Sequence, residues 1–119
     1  MKSLTKAEEQ IMQILWQLNK ASVKDVLAFL PEPKPAITTV STIIRILESK
    51  GFISHEQAGR GYLYFPIIKK EDYTKFSMRK MINNYFDGSF KNLVSFFAKN
   101  EEIDIHELED IIKEIKNKK

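Results

Sequence analysis

The chain has 119 residues, 43% hydrophobic and 29% charged, with no cysteine. That is enough for one compact domain with an appendage, and it excludes the disordered class, disulfides, thiolate metal sites and cysteine nucleophiles. The net charge of +3 is uneven: residues 1–70 carry ten Lys/Arg against six Asp/Glu (+4), and residues 71–119 carry nine against ten (−1). A basic first half suits a polyanionic partner. Met1-Lys2-Ser3-Leu4 leads into a charged helix without an apolar h-region, and no apolar run is long enough to span a bilayer. A cytoplasmic protein without membrane insertion is therefore expected, in the reducing compartment that the lack of cysteine suits.

Thr5-Lys6-Ala7-Glu8 has the form of a capping box, in which the threonine hydroxyl accepts from the N3 amide and the glutamate reaches back to the threonine N–H. It predicts a first helix with Ala7, Ile11, Ile14, Leu15 and Leu18 on one stripe and a stop at Asn19-Lys20. Ser22-Val23-Lys24-Asp25 repeats the box and opens a short second helix through Val23, Val26, Leu27 and Leu30, which Pro31, Pro33 and Pro35 then break. Thr38 or Thr39 is the expected cap of a third helix whose buried stripe is Val40, Ile43, Ile44 and Leu47, closed by Gly51. The period then changes to that of strands. Phe52 to Gln57 and Tyr62 to Phe65 are aromatic and β-branched, and Ala58-Gly59-Arg60-Gly61 supplies a hairpin loop, with Pro66 ending the second strand.

Beyond Lys69-Lys70 the pattern is helical again, broken at Asp87-Gly88, restarted at Ser89, and restarted once more at Asp104-Ile105-His106-Glu107. Residues 71–119 place Tyr73, Phe76, Met81, Tyr85, Phe86, Leu93, Phe96, Phe97, Leu108, Ile111, Ile112 and Ile115 at positions that need burial. A 70-residue neighbour cannot cover them all, so this half is read as a helical dimerisation segment and residues 1–70 as a separate DNA-binding domain. Lys116, Lys118 and Lys119 suit the negative end of the last helix.

Three short helices followed by a hairpin is the order of a winged helix-turn-helix, in which the third helix enters the major groove. The fold class is therefore mainly α with a small β-hairpin wing. With the stripe inward, Thr38, Thr39, Ser41, Thr42 and Arg45 remain on the outer face and at the helix start. Short hydroxyl side chains permit close approach to base edges and phosphates, and Arg45 reaches a guanine or a phosphate. Arg60, between two glycines at the hairpin tip, is placed to reach backbone or a narrow minor groove.

In order along the chain, Leu4-Thr5-Lys6-Ala7-Glu8, Ile11-Met12-Gln13-Ile14-Leu15-Trp16, Thr39-Val40-Ser41-Thr42-Ile43-Ile44-Arg45, Glu48-Ser49-Lys50-Gly51-Phe52 and Tyr62-Leu63-Tyr64-Phe65-Pro66 resemble the penicillinase and methicillin-resistance repressors (BlaI/MecI type) nearly end to end. The resemblance implies a repressor that binds a double-stranded inverted-repeat operator as a homodimer joined by its C-terminal helices. It further implies relief through a sensor-controlled protease. The family's cut, an Asn-Phe bond, corresponds here to Phe96-Phe97, a bond expected to be buried. A second departure lies in the third helix, where a frequent pair of arginines before the leucine reads Arg45-Ile46. Copper-responsive members carry a cysteine-rich tail that this chain lacks, so no cofactor is expected.

Trp16 and Met12 lie off the main stripe and are expected against the wing or the second domain. His55 and His106 stand in different elements with no second ligand nearby, so neither a metal site nor a catalytic dyad is expected. Glu8-Glu9, Glu71-Asp72 and Glu101-Glu102 read as solubility and helix-start charges, and no enzyme motif occurs. Two alternatives remain beside the repressor: a winged-helix protein-interaction module, and a ligand-sensing regulator with a pocket among Trp16, Phe76, Tyr85 and Phe86.

Overall fold

The computed structural model describes residues 1–100 and 104–117; Glu101, Glu102, Lys118 and Lys119, singled out above, lie outside the described residues. The element order is α1 (Lys6–Leu18), α2 (Val23–Phe29), α3 (Ile37–Ser49), β1 (Ile53–Ala58), β2 (Gly61–Pro66), α4 (Lys70–Tyr85), α5 (Phe90–Lys99) and α6 (Ile105–Asn117). By compactness the chain divides into two units, Met1–Phe76 and Ser77–Lys119, and α4 contributes to each.

Local chemistry sets most helix boundaries of the first unit. Thr5 and Ser22 form complete capping boxes with Glu8 and Asp25, and Asn19 ends α1 at a positive φ of 67°. The Asp25 carboxyl is held below its usual range by the Ser22 N–H and hydroxyl. At the far end of α2, Lys34 Nζ donates to the carbonyls of Leu27, Ala28 and Leu30 at 3.0, 3.0 and 2.7 Å. A cation thus satisfies the acceptors that the helix leaves open at its negative end.

The start of α3 differs from expectation. Its N-cap is Ala36, with no side-chain cap, so Thr38 and Thr39 fall within the first turn. The chain becomes helical directly after Pro35, and the Ala36 carbonyl takes the amides of Thr39 and Val40 at 3.0 and 3.2 Å. At the other end Gly51, φ 83°, closes the helix as expected.

The two strands form an antiparallel hairpin from Ile53↔Pro66 to Ala58↔Gly61. Ala58 and Gly61, expected in the loop, are its last pair, which leaves Gly59-Arg60 as a two-residue turn with Gly59 at φ 60°. A further bridge joins Ala21 to Tyr64 through amide–carbonyl bonds of 2.9 and 2.8 Å, tying the α1–α2 link to the wing.

The core gathers Ile11, Met12, Ile14 and Leu15 of α1, Val26 of α2, Val40, Ile44 and Leu47 of α3, and Phe52 and Ile53, with Ile43 packed beside them. Met12 is fully buried in this core. Its position off the main stripe fails as a guide because α1 is covered on more than one side. Trp16 packs on Tyr73, ring centroids 6.0 Å apart, and its indole N–H donates to the Ile68 carbonyl at 2.9 Å. Tyr73 also packs edge-on to Phe52 and accepts from the Leu4 amide at 3.0 Å, with Phe76 next to it. The first turns of α4 therefore complete the core of the first unit.

Glu8 is likewise more than a solubility charge. It is 4% exposed and accepts from Lys50 Nζ and from the Thr5 amide, both at 2.7 Å. This pair fastens the start of α1 to the end of α3.

In the second unit, Gly88 at φ 77° closes α4 by donating its amide to the Ile82 carbonyl. Ser89 then caps α5 by accepting from the Asn92 amide, and Asp104 accepts from the Glu107 amide at the start of α6. Leu93 is buried, and the Phe86 and Phe96 rings meet edge-on at 5.7 Å. Among the described residues no helix is long and apolar enough to cross a membrane.

Candidate nucleic-acid interface

Because Val40, Ile44 and Leu47 point inward, the helical period leaves Thr38, Thr39, Thr42 and Arg45 exposed and Ser41 half-buried. The Thr42 hydroxyl donates to the Thr38 carbonyl at 2.9 Å, so that one of the expected outward hydroxyls is turned back onto the helix. Ile37 and Ile46 are also exposed on α3, although their apolar character gives no sign in the sequence of an outward position.

Ser41 and Arg45, with Ile37 one turn earlier, line an open cleft of about 480 Å³. Its other walls are Ser22, Val23 and Lys24 at the start of α2, and Ala58, Gly61, Tyr62, Leu63 and Tyr64 of the wing. Lys24 and Tyr62 were not singled out by the sequence. Lys24 stands inside a capping box and Tyr62 inside a strand, so each reads locally as structural. The Ala21–Tyr64 bridge is what brings the two segments together, and nothing in either segment announces it.

Cations of the first unit differ in their pairing, and Lys24 and Arg45 are the ones that line the cleft. Lys20 is paired with Glu56 at 2.7 Å and Lys50 with Glu8, whereas Lys24, Arg45 and Arg60 make no ion pair among the described residues. Arg60 is exposed in the hairpin turn, clear of its glycine neighbours. At the foot of the wing His55 Nδ1 lies 2.6 Å from a Glu48 carboxylate oxygen, and its ring packs on Tyr62 and Tyr64. Burial, with the nearby Glu48 charge, raises the pKa of the Tyr64 phenol above its ordinary value.

The C-terminal candidates separate by unit. Tyr73 is buried in the core of the first unit and Phe76 is partly buried beside it. In the second unit Leu93 is buried and Met81, Phe86 and Leu108 are half-buried, whereas Tyr85 is 78% exposed and Phe97, Ile111, Ile112 and Ile115 are exposed as well. Phe96 and Phe97, expected in a core, are 52% and 36% exposed within α5. Leu93 takes the inward position one turn earlier, and the faces bearing the two phenylalanines stay uncovered in the single chain. Of the four residues considered for a ligand pocket, Trp16 and Phe76 belong to the first unit and Tyr85 and Phe86 to the second.

Three packed helices, an exposed third helix and a hairpin beside it define a winged helix-turn-helix of the DNA-binding class. Residues 4–117 match the penicillinase repressor family. The penicillinase repressor of Staphylococcus aureus is 30% identical over 119 residues, covering 97% of this chain and 94% of the relative. That of Bacillus licheniformis is 27% identical over 120 residues, covering 98% and 94%. The solution structure of the DNA-binding domain of the repressor BlaI matches with a TM-score of 0.53 at 27% identity, over 61% of this chain and 94% of that one. The monomeric form of Bacillus licheniformis BlaI in complex with the blaP half-operator matches with a TM-score of 0.51 at 26% identity, over 60% and 89%. The chain belongs to the penicillinase repressor family and is a DNA-binding transcriptional repressor.

Proposed function

We propose that the protein represses transcription as a homodimer on an inverted-repeat operator, with α3 in the major groove and the wing on the adjacent backbone or minor groove. The observation that carries this reading is the cleft joining Ser41 and Arg45 of α3 to Lys24 and the wing, edged by cations that no carboxylate neutralises among the described residues. Such cations release counterions from DNA when they meet phosphates. That the related BlaI forms a complex with the blaP half-operator supports operator DNA as the partner.

The dimer is assigned to the second unit, where Tyr85, Phe97, Ile111, Ile112 and Ile115 are large apolar side chains left exposed in a single chain, which a second copy would cover. Tyr73 is buried in the core of the first unit and Phe76 partly buried beside it, so neither is assigned to the dimer. A dimer sets two recognition helices about one helical turn apart, or a small multiple, on a palindromic duplex. Relief by cleavage at Phe96-Phe97 requires a protease with an apolar pocket, because a pocket built to hydrogen-bond an amide discriminates against an aromatic side chain.

The test is binding to inverted-repeat duplexes at several salt concentrations. Arg60→Ala should weaken binding to all sequences alike and flatten the log–log salt slope by about one. Arg45→Ala should cost roughly 1–3 kcal/mol if its guanidinium reads a base, and behave like Arg60→Ala if it meets a phosphate. Unchanged affinity in both variants would remove this face as the DNA-binding surface.

A further inference from the structure

The outward face of α3 is rich in methyl groups. Ile46 is 41% exposed, although core positions were available to an isoleucine elsewhere on the same helix. One turn earlier stands Thr42, whose hydroxyl is committed to the Thr38 carbonyl at 2.9 Å. With its proton given to the Thr38 carbonyl, the Thr42 hydroxyl has no donor left for an outside partner, which leaves acceptor lone pairs and the Cγ2 methyl. Residues four apart share a helix face, so Thr42 and Ile46 form one apolar strip on a surface otherwise made of Thr38, Thr39, Ser49 and Arg45.

Base-edge chemistry says what such a strip recognises. In the major groove adenine is read by an amide side chain, guanine by a cation and cytosine by a carboxylate, whereas thymine presents a C5 methyl that apolar groups contact. The outward face of α3 carries no Asn, Gln or Asp. Its carboxylate, Glu48, faces His55 at 2.6 Å. We infer that Thr42 and Ile46 are specificity-determining residues that read thymine C5 methyl groups in each operator half-site. This rests on the proposed placement of α3 in the major groove.

The test begins with selection of duplexes from a random pool by the full-length protein, followed by replacement of each thymine of the selected half-site by deoxyuridine, which removes only the methyl. At one or two positions the substitution should weaken binding roughly threefold to tenfold, the effect of one lost methyl contact. Ile46→Ala should abolish that sensitivity at one position. Thr42→Ser, which keeps the hydroxyl and removes the methyl, should do so at the same or the neighbouring position. Both residues are exposed, and thermal melts of the variants check that folding is unchanged. Specific binding with no deoxyuridine-sensitive position, or sensitivity that persists in both variants, would overturn the inference while leaving the DNA-binding reading intact. A pool that yields no enriched sequence would overturn both.

Discussion

Replacing Glu8 tests how the end of α3 is held. The Glu8 carboxylate is 4% exposed and accepts from Lys50 Nζ at 2.7 Å and the Thr5 amide at 2.7 Å. Burial alone would raise its pKa above the ordinary value of 4.5, but the hydrogen bonds from Lys50 and Thr5 and the Lys50 charge outweigh burial and lower it. A carboxyl whose folded pKa is depressed contributes its full stabilisation above the unfolded value and loses it as the pH falls through the folded one. Glu8→Gln keeps an acceptor for the Thr5 amide and loses the charge-assisted bond to Lys50, a cost of about 1.5–3 kcal/mol. Glu8→Ala removes both bonds and should cost about 2–4 kcal/mol, one charge-assisted hydrogen bond and one neutral bond together. Because Lys50→Met leaves the carboxylate buried and unpaired, the double variant Glu8→Gln/Lys50→Met should be less destabilised than the sum of the singles. Trp16, the sole tryptophan, lies in the first unit, so its fluorescence during urea unfolding reports on the right part of the molecule. The gap between wild type and Glu8→Gln should be widest at neutral pH and close well below pH 4.5, the ordinary carboxyl value. A gap that stays constant to pH 3, or Glu8→Gln within about 0.5 kcal/mol of wild type at pH 7, would refute the reasoning.

Other outcomes follow from the same packing. A chain ending at residue 76 should be folded and monomeric by light scattering, whereas one ending at residue 70 loses Tyr73 and Phe76 and should be less stable by about 3–5 kcal/mol, the cost of deleting a large core aromatic. A dimer formed by residues 1–76 would remove the second unit as the dimerisation segment. Lys34→Met should destabilise by about 1–2 kcal/mol, since it strips the cap from the carbonyls of Leu27, Ala28 and Leu30; urea midpoints equal to wild type would show that water replaces it without loss. If induction proceeds by cleavage at the family position, mass spectrometry of the protein from induced cells should find a fragment beginning at Phe97. Intact chain on derepression would exclude cleavage.

Much of the first unit is legible in the sequence because its signals are short-range. The Thr5–Glu8 and Ser22–Asp25 boxes, the Gly51 stop and the paired strand patterns each need only a few consecutive residues to be read, and the structure shows each of them. The outward position of Thr38, Thr39, Thr42 and Arg45 follows equally from the 3.6-residue period once Val40, Ile44 and Leu47 are inside. What depended on contacts distant in sequence was not legible. Tyr73 belongs to the core of the first unit because Phe52, Trp16 and the Leu4 amide converge on it, and no local pattern around residue 73 contains that information. Glu8 is half of a partly buried ion pair because α3 ends where α1 begins, and Lys34 caps a helix because the proline-broken loop folds back over it. The same holds for the cleft that gathers Lys24, Arg45 and Tyr62. The sequence determined, by capping and periodicity, where α1 and α2 begin and that Thr38, Thr39, Thr42 and Arg45 of α3 face outward; only the tertiary structure, through the Ala21–Tyr64 bridge and the shared core, decided which faces meet.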